Sequence, residues 1–555
     1  MNRIISLLLV VWPALSIAQS PGLFKYWVVF TDKNNSPHCL CRPAELLGPR
    51  ALERRHRAGI PLDESDLPVN PDYLTRLTTA GATVHLASRW LNAAAVIADP
   101  ATAERLKTLP FVDTVQYLGP DLRIRHEPYP PARARPVRVA PASVSDNPYG
   151  YAALQNSLLN LPLLHFAGHR GQGIHVAVFD GGFTDADVLP FFDSVALGGR
   201  LTQVRDVVER DNHVYEAAGH GTAVLSVMAA NIPGLLVGGA PDAAYFLFKT
   251  EDTGGEFPIE ECNWVAAAEC ADSMGIDIIN ASLGYTTFND TTLSHAYGVL
   301  NGRTAIGSRG AAMAARKGMI VCNSAGNSGD EPWRHIGVPS DAPGVVAVGA
   351  VDYNGNRASF SSMGPTPDGR IKPDLVAPGE QVVVAGGPDF GLGLSNGTSL
   401  ASPMLTGGIA ALWSAFPEKT AAEILAAVYA SADQYANPDP ERGFGLPDLT
   451  KAWGYLAGWI SDGDRVNNAR NGFFAADPEA GVLTFWSLEP LDNILDVRLF
   501  NALGNRVGER HGTATTHHRV RRIELSGLQD LPAGTYQVEV LTGVGATRFV
   551  GLMWK

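Results

Sequence analysis

The chain has 555 residues, 45% hydrophobic and 18% charged, with a formal net charge of −13. That length exceeds one ordinary core and implies two to four domains. The acidic balance argues against nucleic acid as a partner and favours a soluble surface, but identifies no substrate.

Residues 1–18 read as an export signal. Arg3 supplies the positive start, Ile4 to Val11 the apolar stretch, and Ser16-Ile-Ala18 a small-residue cleavage site. A bilayer span takes about 20 apolar residues. Neither this run nor any later one is that long, so a secreted protein without a transmembrane segment is expected. Residues 19–120 alternate strand patterns (26–30, 82–86, 91–98, 112–118) with helices at 49–58, from Asn70-Pro71, and at 100–109. Proline suits the first turn of each helix, and Asn70 can cap the second. This predicts a small α+β unit. Residues 121–148 include Pro128-Tyr-Pro-Pro-Ala-Arg-Ala-Arg-Pro136, an extended segment suited to proteolytic processing.

From 149 to 457 the pattern becomes α/β. Short runs at 174–179, 244–248, 276–279, 319–322 and 345–351 are apolar on both faces, as strands of a buried parallel sheet are. Helices are expected between and after them, at 259–274, 398–416, 425–431 and 448–456. Gly407-Gly408 marks a close approach of two backbones. Residues 470–555 carry period-two strands at 481–486, 495–501, 519–525, 535–541 and 547–554, which predict a small β-sandwich.

Three motifs carry chemistry: Val176-Ala-Val-Phe-Asp180-Gly-Gly, Gly219-His220-Gly-Thr, and Gly397-Thr-Ser399-Leu-Ala-Ser-Pro403. A serine hydroxyl attacks only when a base takes its proton, and imidazole titrates near neutrality. A carboxylate on the far ring nitrogen fixes the tautomer and stabilises the imidazolium. Asp180 lies at the carboxyl end of its strand, where open α/β sheets place their sites. Thr222 can cap a helix over 223–230. Ser399 opens a helix whose free N–H groups suit an oxyanion, with Pro403 in the first turn. Ser402 is a rival nucleophile within the same motif.

These motifs, in the order Asp, His, Ser, together with Ser324-Ala-Gly-Asn327, resemble the subtilisin-like serine peptidases (subtilases). The resemblance implies a subtilisin-like α/β fold and a secreted endopeptidase acting on extended polypeptides. It assigns catalysis to Asp180, His220 and Ser399, and the oxyanion-hole amide to Asn327. Ser282, Leu283 and Gly284 would pair with substrate backbone, and Ala325 and Gly326 would line the primary pocket. No redox or organic cofactor is implied; structural calcium is frequent in the family, and no ligand set for it is assignable. Residues 19–120 look like a subtilase propeptide that templates folding and caps the site. The run Gly527-Leu-Gln-Asp-Leu-Pro-Ala-Gly-Thr-Tyr-Gln-Val-Glu-Val540 is similar to C-terminal sorting domains of the type IX secretion system, which implies that machinery as a partner. The competing reading is a catalytically retired scaffold used for binding or adhesion.

Other features read as structural. His165 and His169 have metal-like spacing but lack the glutamate of His-Glu-x-x-His, and Gly168 weakens the helix that would align them. Five cysteines make no disulfide scaffold in so long a chain. On one helix Cys262 and Cys270 would lie about 12 Å apart and act as packing residues. The sequons at Asn280 and Asn396 fall inside site motifs and are chance matches.

Overall fold

The computed structural model describes residues 22–121, 147–387 and 391–457, with the strands of the region 472–554. The expected export signal and residues 122–146 of the processing segment lie outside the described residues.

Near the N-terminus, four strands form an antiparallel sheet in the order Thr83–Ser88, Ala93–Ala98, Phe24–Phe30, Val112–Pro120. Its helices, Pro49–Arg57, Pro71–Thr79 and Pro100–Leu106, each start on proline, and the side chains of Asn70 and Asp99 cap the last two. Alternation along the strands divides the sheet between two cores. Tyr26, Val28, Phe30, Ala94, Val96 and Ala98 fill the unit's own interior. Trp27, Ala93 and Ala95 point the other way, into the cluster around the helix Ile259–Met274. Small side chains on Ala93–Ala98 let the sheet lie close on that helix.

The second unit is built on seven parallel strands. Their order is Leu375–Pro378, Val345–Val351, Ile320–Ser324, Ile278–Ala281, His175–Asp180, Ala244–Lys249, Leu201–Asp206. Both faces are buried, as the unbroken apolar runs require. Val176 and Val178 face a core shared with the helices His220–Ala229 and Thr398–Ser414, while Ala177 and Phe179 face Ile259–Met274 and Ile306–Arg316. Gly407 meets Gly239 so closely that a Cβ on it would fall 2.9 Å from the Gly239 Cα. Only glycine permits that contact.

The N-terminal unit is fastened to this body by charge as well as by area. Asp272, fully buried at the end of Ile259–Met274, takes hydrogen bonds from Arg54, Arg55 (2.8 Å) and Arg89 (3.3 Å). Arg55 also reaches Asp66 at 3.0 Å, and Lys317 reaches Asp66 at 3.0 Å and Asp63 at 3.1 Å. Cys39 and Cys41 form a disulfide, while Cys262, Cys270 and Cys322 are free.

The C-terminal region holds two four-stranded antiparallel sheets. One runs Gly472–Asp477, Val482–Ser487, Val520–Leu525, Thr513–His517; the other Arg506–Arg510, Ile494–Asn501, Gly534–Thr542, Gly545–Trp554. Among the described residues no helix is long and apolar enough to cross a membrane.

Candidate active site

Asp180 ends the central strand His175–Asp180 and is 1% exposed. The adjacent strand Ile278–Ala281, and Ile320–Ser324 next beyond it, run parallel to this strand and release residues 282–284 and 325–327 at the same edge. Gly182 turns the chain away at φ +144°, where a Cβ would collide with the Glu216 carbonyl. Gly221 meets the same turn from the other side: its Cβ would lie 2.9 Å from the Asp180 Cβ. Glycines on both sides thus let the two motifs close on each other.

His220 Nδ1 lies 2.9 Å from each Asp180 carboxylate oxygen. Asp180 also accepts the Gly181 N–H at 2.8 Å. The Asp180 charge raises the His220 pKa above its ordinary 6.5, against burial, which lowers it. The helix begins at His220 itself, so Thr222 is not its cap. Instead the Thr222 hydroxyl donates to the Thr184 carbonyl at 2.7 Å.

Ser399 stands at the start of Thr398–Ser414, and both Ser399 and His220 line one cavity of about 220 Å³. Pro403 falls inside this helix and not in its first turn, which corrects the expected start. Proline has no N–H to give the carbonyl four residues back. That carbonyl belongs to Ser399, and the Ser282 hydroxyl satisfies it at 2.7 Å. Ser402 is fully buried and donates to Asn280 Oδ1 at 2.9 Å, so it is packed away from the cavity. Asn280, with no exposed surface, cannot carry a glycan.

Asn327 Oδ1 accepts the Thr398 N–H and hydroxyl, both at 2.9 Å. That fixes the amide, and Asn327 lines the cavity together with Ser399. Ser282, Leu283, Gly284 and Gly326 line the same cavity. Ala325 does not: it is fully buried and pairs by backbone with Val348 and Gly337. The far wall, formed by Thr286, Ser328, Trp333, His335, Gly337 and Ser362, was not foreseen. No motif marks these positions, and only the fold brings them together.

Two further groups support the site. Lys249, fully buried, bonds Asp206 (2.7 Å) and Glu216 (3.0 Å), tying down the segment that leads into His220. Glu251, Glu256 and Glu260 place carboxylate oxygens within 4.8 Å of one another and could hold a metal ion. Burial raises the pKa of all three, and the charges of the other two carboxylates add to the rise at Glu260. Glu260 also has a structural task, accepting the N–H groups of Asp252 and Phe257. His165 is structural as expected: burial pushes it down to about 3, and it bonds the Gly239 carbonyl at 2.8 Å.

The chain is similar to known proteins over both of its first two units. Residues 171–446 match the Subtilase family, and residues 25–131 match the Peptidase S8 propeptide domain, Bacteroidota. Subtilisin NAT of Bacillus subtilis subsp. natto is 30% identical over 354 residues, 63% of this chain and 77% of its own length. Subtilisin of Bacillus pumilus is 32% identical over 283 residues, covering 50% and 88%. A solved structure of the MycP3 protease from the type VII (ESX-3) secretion system aligns with TM-score 0.44 and 24% identity, covering 56% of this chain and 90% of that one. The two matched segments and the parallel sheet carry one conclusion: the chain belongs to the subtilase family and is a subtilisin-like serine endopeptidase bearing its propeptide.

Proposed function

We propose that Ser399 is the nucleophile, His220 its general base and then acid, Asp180 the orienting carboxylate, and Asn327 the oxyanion donor. The observation that carries this reading is the pair of 2.9 Å contacts from buried Asp180 to His220 Nδ1. With Nδ1 engaged, Nε2 is left to accept the Ser399 proton as the hydroxyl oxygen bonds the substrate carbonyl. The carbonyl oxygen becomes an oxyanion, held by Asn327 Nδ2 and the helix N-terminus. Collapse expels the amine, which takes the proton from His220. Water then attacks the acyl-enzyme, His220 takes its proton, and collapse returns that proton to Ser399 as the acid leaves.

Residues 19–120 act as a folding template and inhibitor, and cutting within 121–148 frees the site. The buried ionic fastening at Asp272 supports this, since it holds the unit in place. The protein is exported, and the C-terminal sheets serve as a sorting domain for type IX secretion. Gly527–Val540 and the period-two strands support that reading.

Ser399→Ala should lose turnover on casein by on the order of 10⁶-fold, the loss known for removing the nucleophile of a subtilisin. Undiminished cleavage by the variant would remove the assignment. A folded wild-type protein that refuses a fluorophosphonate label would favour the retired scaffold instead.

A further inference from the structure

The cavity beside Ser399 is lined largely by small and hydroxyl-bearing residues. Among the described residues, none that lines it is an aspartate, glutamate, lysine or arginine. The large apolar side chains among the described lining residues are Leu283 and Trp333. Against these stand three hydroxyls and an imidazole on the far wall. Thr286 and Ser328 use their hydroxyls in no hydrogen bond among the described residues. Ser362, fully buried, accepts the Ser328 N–H at 3.0 Å, and its own proton is uncommitted. The His335 ring lines the cavity, and its Nδ1 is enclosed without a partner among the described residues.

His335 is held in place by its neighbours. Tyr297 lies against it with tilted rings and centroids 4.1 Å apart, Trp333 meets it edge-on at 6.0 Å, and its backbone bridges to Met363. Burial together with the Arg334 charge keeps its pKa below the ordinary value. At pH 8 the wall is therefore neutral. Gly337 extends the cavity, since a Cβ there would lie only 3.3 Å from Thr286 Cγ2.

We infer that this pocket selects a P1 side chain (that of the residue whose carbonyl is cleaved) ending in a neutral carboxamide, glutamine above all. The inference rests on the peptidase reading above. A carboxamide offers both donors and an acceptor to the mixed hydroxyl and imidazole wall. A hydrocarbon side chain would strip water from those groups and return no bond. A charged one would lack a counter-ion.

The test is a peptide series varying only P1, cleaved at pH 8 by the processed full-length protein. Glutamine should lead leucine, phenylalanine, lysine and glutamate by at least about tenfold in kcat/KM. His335→Leu and, separately, Thr286→Val should shift the ratio toward leucine and phenylalanine. A wild-type profile led by leucine, phenylalanine or a charged residue overturns the inference, as does a ratio unmoved in both variants. The wild-type profile decides even where a variant fails to fold. Fluorophosphonate labelling separates the two levels. Label with a leucine or phenylalanine preference sinks this inference alone, whereas neither label nor cleavage sinks the peptidase reading and this with it.

Discussion

Two buried carboxylates in this molecule meet cationic groups in opposite ways. Asp180, at the exit of its strand, holds a single imidazole whose side chain is 45% exposed. Asp272, beside the chain entering the sheet, is saturated by three guanidinium groups, of which Arg54 and Arg55 are almost wholly buried. A buried charge with its partners complete has no low-energy way to change state, and removing one member strands the others. A carboxylate with one half-open partner leaves that partner free to gain and lose a proton. The first arrangement suits docking and the second suits turnover, though both begin from a carboxylate out of water.

The contrast can be broken from either side. The largest effect should follow Asp180→Asn, which keeps the shape but removes the charge and favours the wrong tautomer. Turnover should fall by on the order of 10⁴-fold, read as kcat on a fluorogenic peptide. A loss below tenfold would mean that Asp180 does not orient His220. Next comes Asp272→Ala, made in a Ser399→Ala background to prevent self-cleavage. Loss of a saturated buried carboxylate should lower the unfolding free energy by about 3–5 kcal/mol, read by urea denaturation of the unprocessed chain. A change under about 1 kcal/mol would reduce the Asp272 cluster to a passive contact.

The smallest effect is a shift in a pH profile. His220 works as a base only when neutral, and Asp180 raises its pKa above 6.5. The acid limb of kcat/KM should therefore lie above pH 6.5, with activity falling as pH falls through it. In the residual activity of Asp180→Asn, burial acts unopposed and the limb should move to lower pH. A limb that stays put would assign it to another group.

Much of this architecture was legible from periodicity. The helix Ile259–Met274 has the expected bounds, and the five apolar strands of the parallel sheet are present, because burial on both faces writes itself as unbroken hydrophobic runs. The edge strands Leu201–Asp206 and Leu375–Pro378 escaped notice. The first, Leu-Thr-Gln-Val-Arg-Asp, is an edge with little to bury, and the second is only four residues long. At the site, residues in local motifs could be named in advance, while Thr286, His335 and Ser362 could not. They lie far apart in the chain, and no local rule links side chains that share only a cavity wall. The Asp272 fastening was equally silent, since Arg54 and Arg55 look like surface charges on a basic helix until Asp66 and Asp272 are seen beside them.

Pro403 has a consequence for when the chain becomes dangerous to its neighbours. A helix interrupted there cannot complete its own hydrogen bonding, and the vacancy falls on the carbonyl of Ser399 itself. The missing bond is supplied by Ser282, at the mouth of a strand buried in the middle of the sheet. An isolated or half-formed Thr398–Ser414 segment is thus incomplete at the residue that matters most. Cutting power is conditional on assembly: a nascent chain has no finished blade until its central strands are in register.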